Sequence, residues 1–328
     1  MNTAEIVEKC RDLPGVTARR ERNAVELRLS GPEGEGRMRF FPAFPGIALA
    51  LISVKAPVWP VFQTEGCPAE SPLLINYCLR GRCELVLNDN CHVFLTSGQV
   101  SLTERFAQQE YIYPGKEYEG IEVFIDPETV RDELALLRDG FGIELKRLRE
   151  LYCPEGETFI AGMQLPPALL ERLTSFAELP SEQSAVACKT ALIDFLALLL
   201  YEKPAPETVH PAYYTRSQVA IAKQTRSIIT SDLAAQHTVR EFAERFSISE
   251  SSVKNYFYGV YGQSISQYTA HQRMLEAARL LTGTRLSVIE VAGRVGYVNQ
   301  SKFAAAFRRE FACTPLEYRR KKSVSSAG

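Results

Sequence analysis

Two similar stretches in the last third of the chain decide its fold. Thr238–Phe257 reads TVREFAERFSISESSVKNYF, and Ser287–Phe307 reads SVIEVAGRVGYVNQSKFAAAF. The matched pairs are Glu241 with Glu290, Phe242 with Val291, Ala243 with Ala292, Arg245 with Arg294 and, after one inserted residue, Val253 with Phe303 and Phe257 with Phe307. Each copy predicts a short amphipathic helix, a polar turn and a second helix, which is the shape of a helix-turn-helix.

Hydroxyl residues followed three positions later by Glu or Gln mark the helix starts of this region. In such a capping box each side chain accepts a hydrogen bond from the backbone N–H of the other residue. The last box has proline at the first helical position, where no N–H is needed. The predicted boxes are Thr238 with Glu241, Ser264 with Gln267, Ser287 with Glu290, and Thr314 with Glu317. Ser249 and Asn299 are predicted N-caps of the second helix in each copy.

A single helix, predicted from about Ile265 to Leu281, joins the two copies. Its length is about 26 Å at the usual rise per residue. With the widths of the flanking helices added, the two second helices are expected about 34 Å apart, which is one turn of B-DNA. Met274, Leu275, Ala278 and Leu281 are predicted to pack both copies onto this helix.

The formal net charge of −1 hides an uneven distribution along the chain. Residues 216–322 carry 17 Lys or Arg and 8 Asp or Glu, a net charge of +9, whereas residues 1–215 carry 21 and 31, a net charge of −10. A basic C-terminal third indicates contact with a polyanion. The overall composition, 45% hydrophobic and 23% charged, excludes disordered, collagen-like and coiled-coil proteins.

A proline-rich stretch separates these two parts. Residues 202–214 hold three prolines and no apolar periodicity, which is typical of a linker. The predicted domains are therefore 1–203 and 215–322, with a linker at 204–214 and a tail at 323–328.

The C-terminal third resembles the DNA-binding domain of the AraC/XylS family of bacterial transcription regulators. The resemblance covers residues 216–322 and rests on the first copy, on RMLEAARLL, on LSVIEVAGRVGY and on NQSKFAAAFRREFACTPLEYRR. It implies an all-α domain of seven helices, with two helix-turn-helix motifs joined by a linker helix. Most relatives activate transcription through contact with RNA polymerase, so the resemblance implies an activator.

In the first copy, outward-facing side chains of the second helix are predicted to contact DNA. Asn pairs bidentately with adenine and Lys reaches guanine, so both are suited to base edges. The expected base contacts are Ser251, Lys254 and Asn255, and the expected phosphate contacts are Ser252 and Tyr258. Ser247, at a turn position that the family often gives to glycine, is expected to adopt a type I turn at little cost.

The second copy offers fewer polar side chains on its second helix. Ala304 and Ala305 stand where the family commonly has polar or basic residues, and they offer only methyl contacts. The predicted contacts are Asn299, Gln300, Ser301, Lys302, Ala305 and Arg308. More backbone anchoring than base reading is expected from this motif. Arg309 and the basic run Arg319–Lys322 are equally consistent with phosphate contact and with a solvated helix end.

Short alternating apolar runs fill residues 37–126. Six or more such runs, broken by Gly and Pro, predict a sandwich or a small barrel. Arg80-Gly81-Arg82 and Asn88-Asp89-Asn90 are predicted turns, and helices are predicted over about 127–203. The resemblance implies a cupin-like β-barrel with flanking helices as the sensor. INYCLRGRCELVL and YPGKEYEGIEVFID are similar to the sensor half of the pyochelin-regulator branch. The predicted fold class is a two-domain α+β protein.

A barrel of this size holds one small ligand. The candidates for lining an effector pocket are Trp59, Phe62, Tyr77, Tyr111 and Tyr113, with ordinary core packing as the alternative. A second apolar feature is the stripe Leu192, Phe195, Leu196 and Leu199, spaced along one helix face. It predicts either a homodimer interface or packing on the barrel.

The residues of the N-terminal part do not favour a metal enzyme. His92 is the only histidine between residues 37 and 126, whereas a cupin metal cage uses two or three. Cys67, Cys78, Cys83 and Cys91 match no zinc or iron–sulfur spacing. They are interpreted as core residues, with a redox sensor as the alternative. No metal, cofactor or catalytic residue is predicted.

The predicted function is a sequence-specific DNA-binding transcription regulator. It is expected to be an activator controlled by a small-molecule effector, with double-stranded DNA, RNA polymerase and a second copy of the chain as partners. No secretory signal or apolar run of about 18 residues is found, so a cytoplasmic, nucleoid-associated protein without a membrane partner is expected. The alternatives are a constitutive DNA-binding dimer without ligand, and a cupin-type enzyme fused to a DNA-binding module.

Overall fold

The computed structural model describes residues 13, 15–60, 73–88, 90–104, 110–126, 133–154, 156, 158–202 and 212–325. The chain divides into two compact units, Met1–Tyr214 and Thr215–Gly328. Phe62, Cys67 and residues 204–211 of the predicted linker lie outside the described residues.

The N-terminal unit is built on a curled antiparallel sheet. Its strands are β1 (Val16–Arg20), β2 (Val25–Gly31), β3 (Gly34–Phe44), β4 (Ile47–Lys55), β5 (Val58–Pro60), β6 (Leu73–Asn88), β7 (Cys91–Thr96), β8 (Gln99–Thr103), β9 (Glu110–Ile112), β10 (Tyr118–Ile125) and β11 (Phe159–Gly162). The main path runs β1-β2-β3-β4-β10-β6-β8-β11, while β7 and β9 pair with β6, and β5 pairs with β9.

The sheet has an apolar core on each of its two faces. Successive side chains of a strand point to opposite faces, so a strand that is apolar throughout contributes to both cores. On β10, Ile121, Val123 and Ile125 join one apolar core, whereas Tyr118 joins a second core. Helices cover the first face. The second core, which we call the inner core, contains residues of β5 and β9 and the second half of β6.

The predicted turn at Arg80-Gly81-Arg82 is wrong, because β6 runs through it without a break. The first half of β6 pairs with β10 and β8, and its second half pairs with β7. Gly81 has a φ of +88°, and a Cβ there would lie 2.1 Å from the Glu117 carbonyl oxygen. Glycine therefore permits the bend at which β6 changes partners. The other predicted hairpin is present, since Asn88 pairs with Cys91.

The helices of this unit follow the sheet. They are α1 (Glu133–Phe141), α2 (Leu145–Tyr152), α3 (Pro167–Ser175) and α4 (Ser181–Tyr201), with a 3₁₀ turn at Phe176–Glu178. All four α-helices contribute buried residues to the core on the first face of the sheet.

Helix α4 packs against the sheet, and this overturns the dimer-interface prediction for its apolar stripe. Leu192, Phe195, Leu196 and Leu199 are each 0% exposed. The Phe195 ring lies edge-on to Tyr77 of β6, at 6.5 Å between centroids. Side chains covered by their own chain have no surface left for a second copy.

Helix α4 is also long and apolar enough to cross a membrane, with a mean hydropathy of 1.7. The packing of this stripe accounts for its apolar composition.

The last residue of the N-terminal unit is attached to the sheet. Tyr214 and His92 of β7 exchange two backbone hydrogen bonds, each 2.8 Å long. The Tyr214 ring lies edge-on to Phe94 at 5.9 Å. The His92 side chain has a partner of its own, since its Nδ1 lies 2.9 Å from Glu84 Oε1. Thr215, the next residue, caps the first helix of the C-terminal unit.

The described part of the C-terminal unit is helical. Its helices are α5 (Arg216–Ser231), α6 (Val239–Phe246), α7 (Glu250–Tyr261), α8 (Ile265–Gly283), α9 (Val288–Arg294), α10 (Gln300–Phe311) and α11 (Pro315–Ser325). The predicted helix starts are confirmed. Capping boxes form at Thr238 with Glu241, Ser264 with Gln267, Ser287 with Glu290, and Thr314 with Glu317.

Helix α8 supplies one wall of the core around the second helix pair. Met274, Ala278 and Leu281 pack with Phe303 and Phe307 of α10. Leu275 is 43% exposed, so its predicted packing role is wrong. A helix turns by about 100° per residue, which carries position 275 away from the face of Met274. Ala277 and Leu280 complete that face.

Candidate nucleic-acid interface

The first helix pair, α6 and α7, is joined by a turn in the left-handed conformation. Ser247 has φ 54° and ψ 44°, so the expected type I turn is wrong. The Ser247 N–H donates to the Glu244 carbonyl at 3.3 Å, and the Ile248 N–H donates to the Ala243 carbonyl at 3.0 Å. These bonds close the end of α6 and fix the direction in which α7 begins. The conformation costs a residue with a Cβ about 1–2 kcal/mol.

Helix α7 presents a row of polar side chains. Val253 and Phe257 are buried and hold the helix, while Ser251, Lys254, Asn255 and Tyr258 are exposed. The Ser249 hydroxyl caps the helix by accepting from the Ser252 N–H at 3.1 Å. Ser252 itself is half-buried, and its hydroxyl lies 2.9 Å from the Ser249 hydroxyl. The Ser251 hydroxyl also lies 2.8 Å from the Ser249 hydroxyl, so both serines are partly engaged within their own helix.

The Lys254 ammonium is available for an external partner. Its nitrogen lies 3.7 Å from a Glu250 carboxyl oxygen, one turn earlier, and both side chains are more than half exposed. An exposed pair of this kind contributes under about 1 kcal/mol, so a phosphate or a guanine can displace it.

The second helix pair, α9 and α10, uses glycine at the corresponding turn position. Gly296 has a φ of +81°, and a Cβ there would lie 2.9 Å from the backbone oxygens of Leu233 and Ala234. Asn299 caps α10 by accepting from the Lys302 N–H at 3.0 Å. That side-chain oxygen is therefore already engaged.

The exposed face of α10 is less polar than that of α7. Ala304 is half-buried and Ala305 is exposed, so methyl groups occupy the middle of the helix. Polar and basic groups stand at its two ends. The exposed side chains are Gln300, Ser301, Lys302, Arg308 and Arg309.

A cleft of about 510 Å³ lies beside α7. Lys254, Asn255 and Tyr258 form one wall, and Ser266 at the start of α8 forms part of the other. Tyr297, from the turn of the second helix pair, also lines it. The cleft therefore joins the polar row of α7 to the second helix pair.

Two arginines stabilise the helices of this unit by donating hydrogen bonds to backbone carbonyls. The sequence did not predict this role for either of them. The Arg273 guanidinium donates to the carbonyls of Leu233 and Ala235 at 2.8 and 2.9 Å. The Arg319 guanidinium donates to the carbonyls of Leu281 and Leu286 at 3.0 and 2.6 Å. Arg319 was one of the candidates for phosphate contact, but these bonds engage it within the domain. In the sequence, the only indication that Arg319 has a structural role was its position in LEYRR, a segment that resembles the AraC/XylS family.

The aromatic residues predicted to line an effector pocket fall on two sides of the sheet. Trp59, Tyr111 and Tyr113 belong to the inner core. Tyr77 lies on the helix-covered face, where its hydroxyl donates to the Met163 carbonyl at 3.2 Å. Strand alternation therefore separates Tyr77 from the other three. Phe62 lies outside the described residues.

Cys78 and Cys83 of β6 are buried, whereas Cys91 at the start of β7 is half-buried. Burial raises the pKa of Cys78 to about 12 and that of Cys83 well above its usual value. A thiol in this state carries little thiolate at neutral pH and reacts slowly with oxidants. Within the described ranges, no cluster of His, Cys, Asp and Glu has the arrangement of a metal site.

Comparisons with known proteins agree with the helix arrangement of the C-terminal unit. Residues 242–321 match a family model described as a helix-turn-helix domain. The transcriptional activator RhaR of Mannheimia succiniciproducens is 29% identical over 125 residues, which are 38% of this chain and 44% of that protein. The uncharacterized regulator YdiP of Escherichia coli is 33% identical over 125 residues, 38% of this chain and 41% of that protein.

One solved structure likewise matches only part of this chain. The C-terminal domain of AraT, a response regulator from Geobacillus stearothermophilus, is 30% identical, covers 31% of this chain and 84% of that chain, and has a TM-score of 0.30. The chain spans less than half the length of the two regulators above. Over residues 242–321, the C-terminal unit of this chain is therefore similar to the helix-turn-helix domains of transcription regulators.

Proposed function

We propose that the chain is a sequence-specific DNA-binding transcription regulator. The observation that carries this proposal is the row Ser251, Lys254, Asn255 and Tyr258, exposed on a helix whose buried face is fixed by Val253 and Phe257. Base edges in the major groove are read by such side chains on an inserted helix. The net charge of +9 over residues 216–322 favours the approach of DNA.

Both helix pairs act as helix-turn-helix motifs in this proposal. Helix α8, which joins them, has 19 residues and is about 28 Å long. This length supports two recognition helices, α7 and α10, in successive major grooves about 34 Å apart. Helix α7 reads bases, with Ser252 and Tyr258 near phosphates. Helix α10 anchors the backbone through Gln300, Ser301, Lys302 and Arg308, with Asn299 at its start and a methyl contact from Ala305.

The N-terminal unit serves as the effector-sensing domain, with its curled sheet acting as a cupin-like barrel. The chain regulates transcription in the cytoplasm and is not an enzyme. RhaR and VirF, two relatives that match the C-terminal unit, are named transcriptional activators, which supports activation. In this proposal the chain activates transcription through contact with RNA polymerase. A small molecule bound in the inner core changes how the two motifs engage DNA.

Selection from a random pool of double-stranded DNA tests this proposal. The full-length chain is expected to enrich one asymmetric site with two blocks of preferred bases about one helical turn apart. Recovery of a random pool, with binding that depends only on salt, would contradict sequence-specific recognition.

A further inference from the structure

Three buried polar atoms in the inner part of the sheet have no hydrogen-bond partner among the described residues. They are Trp59 Nε1, the Tyr113 hydroxyl and Glu122 Oε2. The residues that carry them are 0%, 0% and 1% exposed. A buried polar group without a partner is destabilising, so several in one region indicate a missing partner.

A chain of contacts connects these groups. The Tyr113 ring stacks on the Tyr118 ring at 4.8 Å between centroids. The Tyr118 hydroxyl donates to Asn76 Oδ1 at 2.6 Å, and Asn76 Nδ2 donates to Glu122 Oε1 at 3.0 Å. Only the second carboxyl oxygen of Glu122 is left unpaired. Trp59 shares the inner core with Tyr113 and Tyr118.

Glycine makes room for this arrangement. The Tyr118 ring lies along β10 over Gly120, where an added Cβ would be 2.6 Å from the Tyr118 hydroxyl oxygen. The ring therefore runs along the strand toward Asn76 and Glu122. Gly36 has the same role under Trp59, since a Cβ there would lie 2.7 Å from the indole ring.

The titratable groups around the network are almost all acids. Burial raises the pKa of Cys83, Tyr113 and Tyr118 well above their usual values, and the nearby Glu122 carboxyl and Cys78 thiol raise each of them further. The one cation among these effects is Arg82, which lowers the pKa of Cys78. Burial raises the pKa of Glu122 to about 8, and no cation offsets that rise. The carboxyl group is therefore mostly neutral at pH 7.

We propose that this inner site binds a small organic ammonium ion. The Glu122 carboxyl pairs with the ammonium group, the tyrosine rings face its charge, and the Trp59 N–H donates to an acceptor on the ligand. Aromatic rings around a carboxylate are suited to such cations. Binding ionises Glu122, so its proton passes to solvent as the ammonium ion enters. This inference rests on the proposed role of the N-terminal unit as effector sensor, and it adds the chemical class of the effector.

Trp59 offers a direct readout, because it is the only tryptophan of the chain. Its emission is followed while the full-length protein is titrated at pH 7 with methylammonium, ethylammonium and phenethylammonium, and with 2-phenylethanol as a neutral analogue of the last. A saturable change is expected with at least one amine and none with the alcohol. Calorimetry in two buffers of different ionisation enthalpy is expected to show release of about one proton per bound amine, since Glu122 is mostly protonated beforehand.

Two variants complete the test. Glu122→Gln keeps the volume and the bond from Asn76 but removes the charge, so amine affinity is expected to fall at least about tenfold. Glu119→Gln is the matched control, because Glu119 lies on the same strand and pairs with exposed Arg80. Its amine affinity is expected to stay unchanged.

Two kinds of result would overturn the proposal. Equal binding of amine and alcohol, or full amine affinity in Glu122→Gln, would assign the site to a neutral ligand. No saturable response to any of the three amines would assign the unpaired atoms to bound water. DNA selection with the same protein is independent of both results, so a failure here is distinguishable from a failure of DNA recognition.

Discussion

The two helix pairs of the C-terminal unit share a plan but differ at the turn and on the exposed helix face. The first pair has Ser247 in the left-handed turn and a polar row on α7. The second has Gly296 at the turn and alanines in the middle of α10. In the proposed function, the first pair therefore reads most of the bases, whereas the second anchors the DNA backbone through polar and basic side chains at the two ends of α10. Two copies of one motif would then divide these two tasks.

The largest expected effect is on the first pair. Lys254→Ala combined with Asn255→Ala removes two base-reading side chains and is expected to weaken specific binding by about 2–4 kcal/mol, or about 30- to 1,000-fold. Binding to random DNA should persist with its salt dependence. The measurement is a titration of both DNAs, with Gln224→Ala on α5 as the control. Unchanged discrimination between the two DNAs would remove α7 from base reading.

The second effect concerns the turn of the second pair. Gly296→Ser places a Cβ 2.9 Å from two backbone oxygens at a φ of +81°. It is expected to destabilise this region by about 2 kcal/mol. Amide hydrogen exchange over residues 287–311 of the full-length chain measures the change. Unchanged protection would show that the second turn tolerates serine as the first turn does.

The third effect tests the anchoring role of α10. Arg308→Ala and Arg309→Ala are each expected to lower affinity several-fold on every sequence and to reduce the salt slope by about 1. The base preferences of the selected site should stay the same. Titrations between low and moderate salt give the slope, and a change of preferred bases would instead place these arginines at base edges.

The smallest effect concerns the turn of the first pair. Ser247→Gly relieves the left-handed strain of a residue with a Cβ and is expected to stabilise α6 and α7 by about 0.5–1 kcal/mol. Hydrogen exchange over residues 238–261 detects this gain. Reduced protection would mean that the serine side chain stabilises the turn by more than its backbone strain costs.

Local signals predicted the helical unit well, because capping boxes involve residues only three positions apart. Thr238 with Glu241 and Ser287 with Glu290 form the predicted bonds. The turn at Ser247 was missed because propensity favours ordinary turns, whereas the bonds of the neighbouring helix end impose the left-handed conformation. Hydrophobic periodicity also located α8, but did not show that Leu275 lies off the packed face.

The sequence predicted that residues 37–126 form short strands, but not where the strands bend or what packs on the sheet. Gly81 lies at a bend inside the long strand β6. Because Arg80-Gly81-Arg82 has the composition of a turn, the sequence alone did not distinguish a bend from a turn. The stripe of α4 indicated an apolar contact, but only the fold identifies the sheet as its partner. Glu122 was missed because a polar residue between apolar neighbours usually faces solvent. Here both faces of the sheet are covered around β10, which leaves Glu122 1% exposed.

Tyr214 also covers part of an edge of the sheet. Strand β7 pairs with β6 on one side, and the backbone N–H and C=O of His92 are both bonded to Tyr214 on the other side. Unpaired backbone groups on an edge strand are a template for pairing with a strand of another chain. The bonds to Tyr214 therefore protect this part of β7 against edge-to-edge association with a second molecule.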